Sequence, residues 1–169
     1  PGSPRRAEPR GPMHLYLTDR LACPRCGPQF GLVLLAHDVR DRRILAGDLG
    51  CPNCRETYPV RGGFGDLRPP PRPPLPSGSK PEGESGPAET LRVAALLGVT
   101  EGPGTLLLRG PAAFHAGALG GLVPGVEVVA DHPGTRDREE EGGVSRLVTG
   151  GRLPFFGGTF RAVLLSGGW

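Results

Sequence analysis

LACPRCG at residues 21–27 and ILAGDLGCPNC at residues 44–54 hold all four cysteines of this 169-residue chain. Each pair is a Cys-Pro-x-Cys, and 24 residues lie between the pairs. A Cys-x-x-Cys turn sets two sulfurs on one side of a tight knuckle. Two such knuckles brought together offer four thiolates in a tetrahedron, the donor set of a closed structural Zn2+ site. Pro24 and Pro52 fix φ inside the knuckles. The intervening LVLLAHDV (32–39) and RILAGDLG (43–50) read as two strands, with the polar RDRR (40–43) as their turn. That hairpin carries the second knuckle back to the first, and TYPV (57–60) adds a third strand. A module of this size is marginal on apolar burial alone. Structural zinc contributes about 10–16 kcal/mol in small domains, enough to change that balance. Two disulfides would fit the cysteine count, but nothing in the sequence marks a secreted chain. A redox Cys-x-x-Cys needs only one pair. The expected metal ligands are Cys23, Cys26, Cys51 and Cys54. His14, His37, His115 and His132 are scattered and not needed. An all-cysteine site leaves no open coordination position, so the expected metal is structural.

Outward from this module, composition divides the chain. Residues 1–12 read as a disordered tail and residues 13–68 as the cysteine domain. Residues 69–87, PPPRPPLPSGSKPEGESGP, read as a linker, extended in its Pro-rich half and flexible beyond it. Residues 88–169 read as an α/β domain. Glycine and proline together make 50 of 169 residues, and aromatics only 5%, so the core must rest on Leu, Val and Ala. The formal charge is +3, spread as +2, +1, +1 and −1 over residues 1–12, 13–66, 67–87 and 88–169. No segment is a basic stripe that tracks phosphates. Arg40, Arg42 and Arg43 at the hairpin turn are a candidate nucleic-acid contact, but Asp38 and Asp41 lie beside them and stacking aromatics are lacking. No run approaches the roughly 18 apolar residues of a membrane helix. No apolar segment follows the N-terminal arginines, so no secretory signal is visible. The expectation is a cytoplasmic protein.

The motifs LACPRCG, ILAGDLGCPNC and YPVRGGFGDL (58–67) resemble a small zinc-ribbon family. That family includes the eukaryotic activator subunit of tRNA and release-factor methyltransferases and its short bacterial relatives. Its pattern is Leu-x-Cys-Pro-x-Cys, then Gly-x-Leu-x-Cys-x-x-Cys, then Tyr-Pro-Ile-x-x-Gly-Ile-Pro. Tyr58, Pro59, Val60 and Gly63 match the ending, whereas Phe64 and Gly65 stand where Ile-Pro is usual. The resemblance covers residues 13–68. It implies a non-catalytic domain that docks on a methyltransferase-type fold and stabilises it.

In residues 88–169, AETLRVAALLGV (88–99) reads as a helix with Leu91, Ala94, Ala95 and Leu97 near one face. TLLLRG (105–110) is an apolar, strand-sized run, and PAAFHAGALGGLV (111–123) is a Gly-weakened helix. VEVVAD (126–131), VSRLVTG (144–150) and FRAVLLS (160–166) read as further strands. Strand, helix, strand and then more strands predict a mostly parallel sheet. HPGTRDREEEGG (132–143) reads as a charged, solvated loop, and Phe155, Phe156 and Phe160 as core or interface plugs.

This order is similar to the first half of a class I S-adenosylmethionine-dependent methyltransferase. On that resemblance Asp131 matches the acid that binds ribose hydroxyls, and Gly110 is what remains of the Gly-rich cofactor turn. RLPFFGGTFRAVLL (152–165) matches the segment leading into the fourth strand. Arg109, Pro111, Ala112 and Ala113 depart from the family's Asp-x-Gly-x-Gly-x-Gly turn, and Arg161 stands where Asp is usual. The sequence stops at SGGW, after the fourth strand, where the family carries a catalytic motif. These departures weigh against S-adenosylmethionine as a cofactor. The expected fold is α+β: a small β-rich four-cysteine zinc ribbon followed by a partial Rossmann-like half-domain with an open sheet edge. Unpaired edge groups are a template for another chain, so the expectation is a scaffold or accessory protein with a protein partner or self-association. The alternative is a methyltransferase, active alone or completed by a partner.

Overall fold

A computed structural model describes residues 13–76, 86–138 and 142–167. The N-terminal tail, half of the linker, the acids at 139–141 and the last two residues, Gly168 and Trp169, lie outside the described residues. The fold is mixed α+β. The first part comprises α1 (Leu15–Thr18), β1 (Ala22–Cys23), β2 (Gly27–Gly31), β3 (Val33–Arg40), β4 (Arg43–Gly50), β5 (Thr57–Arg61) and β6 (Phe64–Leu67). The second comprises α2 (Pro87–Leu97), β7 (Gly104–Arg109), α3 (Ala116–Leu122), β8 (Val126–Asp131), β9 (Val144–Thr149) and β10 (Ala162–Leu165). No helix is long and apolar enough to cross a membrane among the described residues.

The β3–β4 hairpin forms where the sequence places it. Arg40 faces Arg43, and the two turn residues, Asp41 and Arg42, have φ of 47° and 63°. Positive φ at both positions matches the twist of a two-residue hairpin. The four β-strands read from residues 105–166 also form, each within two residues of its expected start.

One eight-stranded sheet contains both parts, in the order β10-β7-β8-β9-β6-β5-β4-β3. From β10 to β6 all neighbours are parallel, and from β6 to β3 all are antiparallel. The junction is β6 against β9, with Phe64 to Leu67 facing Arg146 to Thr149. The cysteine module therefore packs on its own second half. Gly65 leaves room for Met13 at this join: a Cβ there would lie 2.5 Å from Met13 Cε, and Met13 is fully buried. Met13 is held within the cysteine module, since its N–H donates to Gly63 O and its carbonyl accepts from Ile44 N–H.

The two faces of the parallel strands carry different cores. Leu106, Leu108, Val128 and Ala130 lie under α2 and α3 with Val93, Ala116 and Leu119. Leu107, Val129 and Leu147 share a second core with Met13, Leu17, Leu49, Tyr58 and Val60 of the cysteine module. Phe155 and Phe160 pack on that second core, edge to face at 4.7 Å, as plugs.

Two helical readings need correction. The buried residues of α2 are Thr90 and Val93, with Ala94 and Leu97 partly covered, while Leu91 and Ala95 are exposed. The cause is polar: Thr90 Oγ1 bonds His115 Nδ1 at 3.1 Å, so a hydroxyl anchors the inward face. The helix starts with Pro87 in its first turn and ends on Gly98 at φ 62°. The segment read as one helix over 111–123 is split into a 3-10 helix, Gly110–His115, and α3.

Candidate metal centre and the cavity at Asp131

β1 and the end of β4 bring the two knuckles together. In the first, Cys26 N–H donates to Cys23 Sγ at 3.3 Å, and Gly27 exits at φ 92°. In the second, Arg55 N–H donates to Cys51 O at 3.0 Å and Cys51 N–H to Glu56 O at 2.9 Å. Arg55 there takes the left-handed conformation, φ 58°, that Gly27 takes in the first. All four thiols are free, and their sulfurs lie within 4.8 Å of one another. Cys23 and Cys54 sulfurs are 3.7 Å apart, and those of Cys51 and Cys26 are 3.9 Å apart. A tetrahedron with Zn–S bonds of about 2.3 Å has edges of roughly 3.8 Å. The spacing and the donor set fit a metal ion such as Zn2+.

The surroundings orient the sulfurs. Asn53 Nδ2 donates to Cys26 Sγ at 3.4 Å, and the fully buried Tyr58 hydroxyl lies 3.7 Å from Cys23 Sγ. The Arg72 guanidinium covers the Tyr58 ring at 5.0 Å and pairs with Glu56 at 3.1 Å. Burial alone would raise the Cys23 pKa. Backbone N–H groups of Cys26 and Arg25, with the Tyr58 hydroxyl and the Cys51 thiol, instead lower it to about 7. Cys54 goes the other way: the Glu56 N–H lowers its pKa, but burial and the three other thiols push it up to about 12. Four sulfurs at this spacing cannot all ionise without a cation among them.

Asp131 and Gly110 are brought together at the C-terminal ends of β8 and β7. A cavity of about 400 Å³ opens there, bounded by Arg109, Gly110, Asp131, His132, Thr149 and Ser166. Asp131 is 4% exposed, and both of its oxygens are used inside the protein. Thr149 N–H donates to Oδ1 at 2.9 Å, and Thr149 Oγ1 donates to Oδ2 at 2.6 Å. Arg109 Nε lies 3.5 Å from Oδ2, and Arg109 Nη2 donates to Gly150 O at 2.7 Å. Burial raises the Asp131 pKa, opposed by Thr149, Arg109 and His132. Gly110, at φ 76°, lies against the chain after β10: a Cβ would stand 1.9 Å from Ser166 O. Ser166 Oγ donates to Arg109 O at 3.0 Å and accepts from Ala112 N–H at 2.7 Å, which closes the turn.

Sequence reasoning missed Thr149 and Ser166, the groups that occupy Asp131 and close the Gly110 turn. Neither belongs to a motif, and only the parallel register puts them there. The three hairpin arginines do not act as one patch. Arg40 pairs with Asp38 at 3.3 Å, whereas Arg43 turns inward to a bidentate pair with Glu127, at 2.5 and 2.9 Å. Arg161 donates Nη1 to Glu101 O at 2.6 Å.

The chain matches no family model, and no curated protein matches it.

Proposed function

We propose that this chain is a non-catalytic, zinc-stabilised scaffold, in which a zinc ribbon buttresses a methyltransferase-like, Rossmann-like half-domain. One observation carries the reading. The carboxylate that a cofactor ribose would need, that of Asp131, is buried and already engaged by Thr149 and Arg109. The closed turn at Gly110 supports it, because a phosphate- or cofactor-cradling loop needs free backbone N–H groups. The zinc is structural in this reading. Cys23, Cys26, Cys51 and Cys54 hold it, and it keeps β3 to β6 in place as an extension of the sheet.

Docking of a protein partner is assigned to β10. Among the described residues that strand lies at the edge of the sheet, and Val163 and Leu165 on it are 44% and 43% exposed. An edge strand that carries apolar side chains suits addition of another strand.

The second reading is an S-adenosylmethionine-dependent methyltransferase. The cavity at the strand ends favours it, since ligands of open parallel sheets bind there. Calorimetric titration of S-adenosylmethionine into the metal-loaded protein separates the two. The scaffold reading expects no heat of binding at millimolar ligand. Saturable binding that is weakened by Asp131→Asn would overturn it.

A further inference from the structure

A second cavity, about 860 Å³, lies at the opposite end of the parallel strands, where β7 and β8 begin. Its size is within the range of small-molecule sites. Residues of the N-terminal segment, Tyr16 and Arg20, form one wall, and Arg161 forms another. Neither half of the chain makes this cleft alone.

Its charge is basic. Glu127 is the single acid among the described lining residues, and Arg43 neutralises it with two hydrogen bonds. Arg20 is exposed and has no side-chain partner among the described residues. Arg161 is anchored through Nη1 to the carbonyls of Glu101 and Pro103, with no carboxylate. Among the described residues, no carboxylate pairs with either guanidinium. An aromatic platform stands beside them. Tyr16 is 60% exposed, and its ring stacks on His14 with centroids 5.1 Å apart and planes 27° apart. His14 Nδ1 accepts from Tyr16 N–H, which holds that stack in place. His14 thus stacks on one face of a ring that is otherwise largely exposed.

The geometry points to a nucleotide site, with the base stacked on Tyr16 and the phosphate held between Arg20 and Arg161. Guanidinium groups match phosphate oxygens in a planar fork, and a base on an aromatic ring adds sequence-tolerant affinity. The ligand is either a free nucleotide or one nucleotide of a single strand. This goes beyond the scaffold reading and does not depend on it, because Asp131 lies at the other end of the strands.

The test uses the full, metal-loaded chain. A short fluorescein-labelled oligoadenylate is titrated by fluorescence anisotropy, and AMP and inorganic phosphate are added as competitors. Binding is expected to weaken about five- to hundredfold in Tyr16→Ala, the range of one lost stacking contact, and to recover in Tyr16→Phe. Arg20→Ala is expected to reduce the salt dependence by about 0.7 in log–log slope, one phosphate contact to a single strand. Tyr16 and Arg20 are exposed, so these variants keep the fold, which circular dichroism and metal content check. Displacement by AMP identifies a free nucleotide, and tight binding of the oligomer alone identifies a strand. Asp131→Asn is expected to leave either affinity unchanged. No binding, competition by phosphate as strong as by AMP, or affinities indifferent to Tyr16 and Arg20 would each overturn the assignment.

Discussion

Replacing Arg43 with alanine tests whether the cysteine module and the parallel strands are one cooperative unit. Arg43 starts β4, and Glu127 lies on β8, so their bidentate pair spans the two parts. Their side chains are 11% and 20% exposed. Ser145 Oγ also donates to Glu127 Oε1 at 2.6 Å and accepts from His14 N–H at 2.9 Å, which extends the link to the N-terminal segment. Exposed ion pairs contribute about 0.2–1 kcal/mol. Removing one member of a fully buried pair costs about 3–5 kcal/mol. A pair covered by four-fifths or more sits between these, so Arg43→Ala should cost about 2–3 kcal/mol. At about 2–4 °C per kcal/mol for a chain of this length, Tm should fall by roughly 5–10 °C. The assay is urea unfolding of the metal-loaded protein followed by circular dichroism, since guanidinium chloride would screen the charges. Arg43→Ala, Glu127→Ala and the double variant complete a cycle with an expected coupling of about 1–2 kcal/mol, largely retained at about 1 M salt. A coupling below about 0.3 kcal/mol, the additivity limit for independent sites, would refute the reasoning. Two separate unfolding transitions in the unaltered protein would also refute it.

Metal removal should unfold β3 to β6 and loosen β9 with them. Structural zinc contributes about 10–16 kcal/mol, whereas whole domains are stable by about 5–15 kcal/mol. Chelator titration with circular dichroism should show metal loss and unfolding together, and a metal-free chain that keeps a cooperative transition would contradict this. Gly110→Ala should cost roughly 2–4 kcal/mol, from its positive φ and the contact with Ser166 O. Gly121→Ala is the matched control: its Cβ would meet nothing within 4 Å, and it should stabilise α3 by about 0.5–1 kcal/mol. Equal urea midpoints for the two variants would refute the close-approach argument. Acid should weaken the α2 contact. Burial lowers the His115 pKa below its usual value, opposed by Glu89 and reinforced by Arg138. The unfolded state then binds more protons, so this contribution is complete above the unfolded pKa and is lost as pH falls through the lower folded one. His115→Asn should flatten stability against pH below neutrality, and an unchanged profile would exclude His115 as a source.

Several features were legible because their physics is local. The cysteine spacing, the hairpin and its turn, and the strands of the second half are written in contiguous residue types. The inward face of α2 was not legible, because it is set by a hydroxyl meeting an imidazole 25 positions away. Asp131 was found by its position at a strand end. Its occupation by Thr149 depends on how β9 lies beside β8, with Ala130 facing Arg146 and Asp131 facing Leu147. No periodicity encodes that register.

The join of β6 to β9 shows the same limit and explains the architecture. FGDL (64–67) is too short to announce itself as a strand, and its partner VSRLVT (144–149) lies some eighty positions further along the chain. A parallel pair needs a long connection, and the Pro-rich segment with α2, β7 and β8 provides it. Once made, the join removes an edge from each part: β9 would otherwise end the parallel strands and β6 the antiparallel ones. The cysteine knuckles at one side of the sheet thereby support a strand, β9, whose other neighbour, β8, ends in Asp131 and begins beside the basic cleft. The cysteines therefore reach Asp131 through sheet register, whereas the cleft is also tied to Cys23 through Arg20, three residues before it, whose carbonyl accepts from Phe156 N–H. That separation is what the Arg43–Glu127 cycle and the chelator titration together measure. If β6 leaves β9 when the metal is removed, Thr149 loses its support and Asp131 loses its two hydrogen-bond donors.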